Sequence, residues 1–201
     1  MKKIVERRKN ICYIENMVAR QKYAYTKEEA EKYKQIILYA IKTGADKDGR
    51  IAKTKLAKEV YLADFIWFYE TNTPMSGMEY RKRTYGPVAD AFFRIIEEME
   101  EDELIKCERI SNTQNDKIKN LYSISDLSKD ISIDKLNNDE KHLIEQIAKT
   151  WENKRTSEIV DFTHKQLPWK ICRDEEVIPY SLITQEDSSN VYGPVKLLRS
   201  I

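Results

Sequence analysis

The pattern of hydrophobic and polar residues predicts two helices, joined by a polar turn, near the middle of the chain. In the first helix, Leu56, Val60, Ala63 and Trp67 recur at spacings of three and four residues, and other apolar residues fill the remaining faces. A helix that is apolar on all its faces is buried in the protein core. We therefore expect the rest of the chain to be organised around this helix.

The second helix is predicted to begin where the polar turn ends. Gly86 can serve as its N-cap, and Pro87 suits the first helical position, because the amide that proline lacks has no partner there. The segment before it, Met78 to Tyr85, alternates enough to predict a short edge strand. An apolar stripe follows at helical spacing, formed by Val88, Ala91, Phe92, Ile95, Ile96 and Met99.

Asp64 is the only charged residue between Val60 and Tyr69, inside the predicted buried helix. An unpaired carboxylate in apolar surroundings is costly, so Asp64 needs a partner. We hypothesise that it accepts hydrogen bonds from first-turn amides of the second helix or from Tyr85. Replacement of Asp64 by alanine should then unfold the domain.

Local signals define further elements on both sides of this pair. Thr26 and Glu29 form a capping box at the start of a helix that ends at Gly44. Two β-rich segments, Leu104 to Ile110 and Ile118 to Ile124, predict a hairpin with a polar tip.

Two more helices are predicted after the hairpin. The first begins at Asn137 or Asn138, and the second begins at Thr156 or Ser157 and ends at Pro168. The fold class that these elements predict is α+β, predominantly α-helical with a small antiparallel sheet or hairpin.

Residues 1–25 predict a helical extension with a narrow apolar seam, because Ile4, Ile11 and Val18 lie seven residues apart. Lysine and arginine residues surround the seam. The segment either packs on its own domain, which is the interpretation we favour, or docks as an arm on a partner or on nucleic acid.

Three short motifs occur in order along the chain: a helical run from Lys55 to Asp64, a Pro-x-x-Gly-x-x-Tyr segment and a Tyr-Gly-Pro-Val turn. A histidine followed by a tryptophan comes later. The motif residues are Leu56, Tyr61, Asp64, Pro74, Gly77, Tyr80, Tyr85, Gly86, Pro87, Val88, His164 and Trp169. Together they resemble the Panacea domain, the SocA-like antitoxin domain of bacterial and prophage toxin–antitoxin systems. Ala57 and Glu59 depart from the family pattern and alter only the outer face of the helix.

The resemblance implies a Panacea-like domain over residues 26–185, with the extension 1–25 before it and a tail, 186–201, after it. It implies that the motif residues are structural. It also implies an antitoxin without enzymatic activity, which binds and neutralises a cognate protein toxin encoded beside it by direct contact. A SocA-like antitoxin can instead present its toxin to a cellular protease as an adaptor.

The composition limits the function classes. The chain of 201 residues has 35 Lys and Arg against 34 Asp and Glu, a formal net charge of +1. That balance argues against a protein whose main task is to grip a phosphate backbone. No apolar run reaches the length of a membrane span and no signal peptide is evident, so a cytoplasmic location is expected.

Two charged clusters are candidates for binding the toxin. The acidic cluster lies at the end of the second helix, where negative charge opposes the helix macrodipole, and it suits a basic toxin. The basic run lies in the predicted edge strand, and both clusters can equally be solvated surface. Their residues are Glu97, Glu98, Glu100 and Glu101, and Arg81, Lys82 and Arg83.

Two other functions are weighed against the antitoxin. A helix followed by a hairpin resembles the wing of a winged-helix regulator, which would bind DNA through the basic run or the N-terminus. An enzyme would need a site such as Asp64 and His164 in one cleft, but no phosphate loop, nucleophile elbow or zinc-protease motif is present. The loop at Asp46 to Gly49 places Lys55 where a calcium loop needs glutamate, so we expect neither metal nor cofactor.

Overall fold

The structure is a computed structural model, and it describes residues 25–112, 117–128 and 130–195. The helical extension predicted for residues 1–25 lies, except for Tyr25, outside the described residues. The tip of the predicted hairpin, at 113–116, and the end of the predicted tail, 196–201, also lie outside them.

Helices form the larger part of the described chain. The helices are α1 Lys27–Gly44, α2 Lys53–Thr71, α3 Phe92–Glu101, α4 Asn138–Trp151, α5 Thr156–Lys165, α6 Leu167–Ile171 and α7 Ser188–Tyr192. The strands are β1 Ile51–Ala52, β2 Tyr80–Arg81, β3 Val88–Ala89, β4 Ile105–Asn112, β5 Lys117–Ile124 and β6 Val177–Ile178. Short 3-10 turns cover Asp126–Ser128 and Tyr180–Gln185. This arrangement confirms the predicted α+β class, mostly helical with small antiparallel sheets.

Helix α2 is the centre of the core, as its apolar pattern predicts. Every residue from Leu56 to Trp67 is buried. The helix packs against α1, α4 and α5, and against the 3-10 turn at Tyr180–Gln185. None of the helices in the described ranges combines the length and the apolar character that crossing a membrane requires.

Two predicted helix starts are confirmed by their caps. At α1, the amide of Glu29 donates to Thr26 Oγ1 at 3.1 Å and the Glu29 carboxylate accepts from the Thr26 amide at 2.6 Å. At α4, Asn137 and Glu140 make the same reciprocal pair, with both distances at 2.9 Å. These pairs satisfy amides that would otherwise lack a partner in the first helical turn.

Two three-stranded antiparallel sheets flank the helices. The predicted hairpin is confirmed as β4 and β5, which pair from Ile105 with Ile124 to Asn112 with Lys117. Strand β1 pairs with the side of β5 that does not contact β4, so the order of this sheet is β1-β5-β4. The second sheet has the order β3-β2-β6.

The second sheet corrects two predictions. The helix predicted to start at Pro87 starts at Phe92, because Val88 and Ala89 pair as β3 with Arg81 and Tyr80. The segment predicted as an edge strand contains β2, which is instead the central strand of this sheet. Strand β6 (Val177–Ile178), about a hundred residues later in the chain, pairs with the side of β2 that does not contact β3.

The prediction that Pro168 ends a helix is also wrong in detail. Helix α5 ends at Lys165, and Gln166 is extended. Pro168 lies in the first turn of α6, where a proline is tolerated because its missing amide needs no partner.

Candidate functional site

A cleft of about 600 Å³ opens at the start of α2, opposite the Tyr-Gly-Pro-Val turn. Its lining comes from α2, the turn, the start of α3 and the loop before β6. The lining residues are Lys53, Thr54, Ala57, Lys58, Arg83, Thr84, Tyr85, Gly86, Val88, Phe92, Phe93 and Glu175. Three of the four residues of the turn therefore line this cleft.

Two aromatic side chains at the cleft face solvent. Tyr85 is 70% exposed and Phe93 is 47% exposed. The Lys53 amine lies 5.4 Å from the centre of the Phe93 ring, a cation–π distance. Exposed aromatic residues beside a concave surface are typical of the anchor residues of protein interfaces.

Lys58 lies in the wall of the cleft with only 2% of its surface exposed. Its Nζ donates a hydrogen bond of 2.6 Å to the carbonyl oxygen of Pro87, which ties the turn to α2. Among the described residues it forms no ion pair with a carboxylate. Burial, with no compensating charge, lowers the pKa of the Lys58 amine to about 7.

Gly86 is required where the turn approaches Lys58. Its φ of +93° is a conformation that residues with a side chain rarely adopt. A Cβ at this position would lie 2.9 Å from Lys58 Cε and 3.0 Å from Thr163 Oγ1. The glycine of the motif is therefore explained by close packing as well as by the backbone.

The late histidine and tryptophan of the motif set lie behind the turn. The His164 and Trp169 rings stack with centroids 4.0 Å apart, and Lys82 Nζ lies 4.2 Å from the Trp169 ring. Burial lowers the pKa of His164, and the neighbouring Lys58 and Lys82 cations lower it further. Trp169 also donates from Nε1 to the Arg83 carbonyl at 3.4 Å, so this group anchors the basic segment.

Asp64 has a partner, but not the predicted one. Its carboxylate accepts from the Ser76 amide at 2.7 Å, from the Ser76 hydroxyl at 2.5 Å and from the Tyr80 hydroxyl at 2.7 Å. The hypothesis that Tyr85 or the amides after Pro87 would fill this role is wrong, because Tyr85 faces solvent and the helix starts later. Burial raises the pKa of Asp64 despite these hydrogen bonds.

Burial differs among the other motif residues, and Pro74 is exposed. Leu56 and Tyr61 are fully buried in α2. Gly77 has a φ of +76°, and a Cβ there would approach Glu29 Oε1 to 3.0 Å. Asp64 and His164 do not lie among the residues that line the cleft, so the cleft does not hold the acid–histidine pair of the enzyme hypothesis.

The basic run is largely neutralised by neighbouring acids. Arg81 pairs with Asp90 and, at 2.8 Å, with Glu79. Arg83 pairs with Asp90 at 3.1 Å and with Glu175. Lys82 donates to the Cys172 carbonyl at 2.9 Å and lies 3.7 Å from Asp174. These contacts hold β2 to the chain on either side of it.

The acidic cluster on α3 is only partly neutralised. Glu98 pairs with Arg94 at 2.7 Å and with Lys34 at 3.4 Å, and Glu100 is half-buried. Glu97 and Glu101 are exposed. Because Phe93, Glu97 and Glu101 are each four residues apart on one helix, they share a face that begins at the cleft.

Sequence patterns did not identify Lys58, Phe93 or the exposure of Tyr85 as features of a site. One signal for Lys58 was present: a charged residue inside a helix that is apolar on all faces must be buried. Tyr85 and Phe93 gave no such signal, because apolar periodicity does not show which aromatic residues of a turn or helix remain in solvent.

Residues 56–170 match one protein family, described as "Antitoxin SocA-like, Panacea domain". The matched segment runs from the first buried leucine of α2 to α6, and so contains the cleft wall, the Tyr-Gly-Pro-Val turn and the His164–Trp169 stack. Neither the curated proteins nor the solved structures gave a match.

Proposed function

Since the chain belongs to the SocA-like antitoxin family, Panacea domain, we propose that it neutralises a cognate protein toxin by binding it directly. The observation that carries the proposal is the cleft with its two solvent-facing aromatic residues, Tyr85 and Phe93. In this proposal the protein acts as a binding module and catalyses no reaction.

The cleft has the features of a docking site for a protein segment. Aromatic anchors that enter or border a pocket contribute a large share of the binding energy in protein interfaces. Tyr85 and Phe93 come from separate elements, the turn and α3, and both positions are set by buried neighbours. An aromatic side chain has only two rotatable χ angles and so loses little conformational entropy on binding, which favours affinity.

The acidic face of α3 extends the proposed interface. Glu97 and Glu101 continue from Phe93 along the helix, and both carboxylates face solvent. Such a face attracts a basic toxin surface and orients it during association. Glu98 and Glu100, and the ion-paired Arg81, Lys82 and Arg83, are placed in this proposal at the margin of the interface.

A growth assay tests the antitoxin function. The reading frame adjacent to this gene is expressed from an inducible promoter, with and without the full-length chain. The proposal expects the neighbour to stop growth and the chain to restore it. Toxin levels measured in the same cells separate blocking, which leaves the toxin intact, from adaptor action, which requires a protease and lowers the toxin level.

A winged-helix DNA-binding regulator remains a second candidate, favoured by the β1-β5-β4 sheet in which α3 directly precedes the hairpin. In such domains the helix before the hairpin enters the major groove. Here that helix exposes Glu97 and Glu101, which would repel the phosphates. Salt-dependent binding to the promoter of its own operon would favour this candidate, whereas absence of binding at low salt would exclude it.

A further inference from the structure

Lys58 is a cation that the fold separates from both water and carboxylates. It is 2% exposed, and its one hydrogen bond among the described residues goes to the neutral carbonyl of Pro87. An ammonium group has three donors, so two remain without a protein acceptor. A buried charge without a counter-charge is unfavourable, and an anion that reached this amine would relieve that cost.

The surroundings of Lys58 add positive potential. Lys53 and Thr54 line the same cleft in the first turn of α2, a helix start that has no side-chain cap. The positive end of the helix dipole therefore faces an open space. Other charges nearby change this little: Arg83 and Glu175 pair with each other, and the negative charge of Asp161 acts on His164, next to the Lys82 cation.

The remaining walls of the cleft are apolar or aromatic. Ala57 and Val88 line the interior, and Tyr85 and Phe93 border it. A cavity of about 600 Å³ falls within the size range of sites that bind small molecules or peptide ends. The ligand that fits this combination has an apolar side chain and one negative group.

We propose that the cleft recognises a carboxylate carried by an apolar peptide segment, in the first place the C-terminus of a partner chain, with Lys58 as its counter-charge. The proposal rests on the proposed function in that the toxin is the natural source of this segment. A nucleic-acid phosphate is disfavoured, because the exposed Glu97 and Glu101 follow Phe93 away from the cleft on the same helix.

The geometry explains two features that the family motif alone does not. Gly86 lacks a Cβ that would lie 3.0 Å from Lys58 Nζ, so a side chain at this position would occupy the space beside the amine. The Pro87 carbonyl fixes the direction of the lysine side chain. A pre-positioned amine loses little conformational entropy when the carboxylate arrives.

Binding should also depend on pH. A carboxylate favours the charged form of Lys58, and the pKa of that amine is about 7 before binding. Affinity is therefore expected to rise as the pH falls from 8 to 6. Glu59, the next residue of α2, also titrates in this range: burial raises its pKa to about 8, so it loses its negative charge as the pH falls, in the same direction as the effect of Lys58. Burial lowers the pKa of His164, and this group adds no negative charge at any pH.

The test uses the purified full-length chain and three small probes. The first is N-acetyl-glycyl-phenylalanine as the free acid, the second is its C-terminal amide, and the third is N-acetyl-glutamyl-phenylalanine amide, with a carboxylate only on the side chain. Binding is followed by the NMR shifts of the Tyr85 and Gly86 amides. The free acid is expected to bind about tenfold more tightly than the amide, as expected for a hydrogen-bonded charge pair.

Variants assign the preference to Lys58. Lys58→Met should bind acid and amide alike, whereas Lys149→Met, a change at an exposed position of α4, should keep the preference. If Lys58→Met does not fold, the pH dependence of acid binding by Glu59→Gln decides, because that variant keeps Lys58 and removes the neighbouring group that titrates over the same range. Tighter binding of the third probe than of the amide supports carboxylate recognition and assigns the source to a side chain.

Equal binding of free acid and amide, or no saturable shift with the free acid at about 10 mM, would overturn the inference. Its failure is separable from failure of the antitoxin function. If the chain restores growth but does not prefer the free acid, only the carboxylate site is refuted. If it prefers the free acid but does not restore growth, only the antitoxin function is refuted.

Discussion

The Tyr80 hydroxyl donates a hydrogen bond to Asp64 Oδ2 at 2.7 Å, and this bond joins the first strand after α2 to the middle of that helix. Ser76 adds its amide and its hydroxyl to the same carboxylate. The cluster thereby fixes the path of the chain from α2 into β2. Because β2 leads directly into the Tyr-Gly-Pro-Val turn, Asp64 supports the cleft without lining it.

Removal of this carboxylate should destabilise the fold strongly. Asp64→Ala leaves the buried donors of Ser76 and Tyr80 without an acceptor, and we expect it to lower the free energy of unfolding by roughly 3–5 kcal/mol. Tyr80→Phe removes one donor and should cost about 1–2 kcal/mol. Urea denaturation followed by circular dichroism measures both. The exposed Asp161→Ala serves as control, and an Asp64→Ala midpoint equal to that of the control would refute the role of the cluster.

Glu59 predicts an unusual dependence of stability on pH. It is 2% exposed, and neither carboxyl oxygen has a hydrogen-bond partner in the described part of the chain. Burial raises the pKa of Glu59 to about 8, with Lys55 opposing the shift. Because the folded form holds the proton more tightly than the unfolded one, this stabilisation is complete at acid pH and is lost as the pH rises through about 8.

Glu59→Gln should remove this dependence. Relative to the wild type, the variant is expected to gain roughly 2–4 kcal/mol of stability between pH 5 and pH 8.5. Glu70→Gln, at an exposed position of the same helix, should follow the wild type at every pH. Parallel curves for wild type and Glu59→Gln would show that Glu59 ionises normally in the folded protein.

The two cleft aromatics should affect binding rather than stability. Tyr85→Ala and Phe93→Ala are each expected to weaken the toxin complex by about 1–3 kcal/mol, the range typical of interface anchors. Their melting temperatures should stay near that of the wild type, because Tyr85 is largely in solvent and about half of Phe93 is exposed. Leu127→Ala, at a side chain that is 78% exposed elsewhere on the surface, provides the matched control.

The acidic face of α3 should influence the rate of association. A double change of Glu97 and Glu101 to lysine is expected to slow binding of a basic toxin and to abolish its salt dependence. It should not lower stability, since acidic residues at a helix C-terminus are unfavourable. The same change at Glu70 and Glu152 alters the net charge equally, and so tests whether net charge alone slows the association. Stopped-flow rates at low and high salt that are equal for the two double variants would contradict the assignment.

Local signals in the sequence were sufficient where the partners lie close along the chain. The Thr26–Glu29 and Asn137–Glu140 caps and the hairpin after α3 depend on neighbours a few residues apart, and all were predicted. The strand character of Val88 was hidden because its sheet also includes Val177, which lies far along the chain and pairs with the other side of Arg81. Pro87 is compatible with a helix start, so nothing local distinguished the two outcomes.

The candidate site was predictable only in part. That Asp64 needs a partner follows from its predicted burial. That the partner is Ser76 could be known only from the geometry of the turn after α2. The basic run suggested an open binding surface, yet Arg81 and Arg83 are paired by acids directly after β3 and before β6 that no local pattern connects to them. The role of Lys58 in the cleft could be predicted only if the burial of α2 and the position of the turn were both known.

Co-purification of this chain with the product of the adjacent reading frame tests direct binding at the cleft. The wild type and Leu127→Ala should elute with that product as one complex from size-exclusion chromatography, and the double change of Tyr85 and Phe93 to alanine should elute alone while remaining folded. Failure of the wild type to form any complex, or a complex of undiminished affinity with the double variant, would contradict direct binding through the cleft.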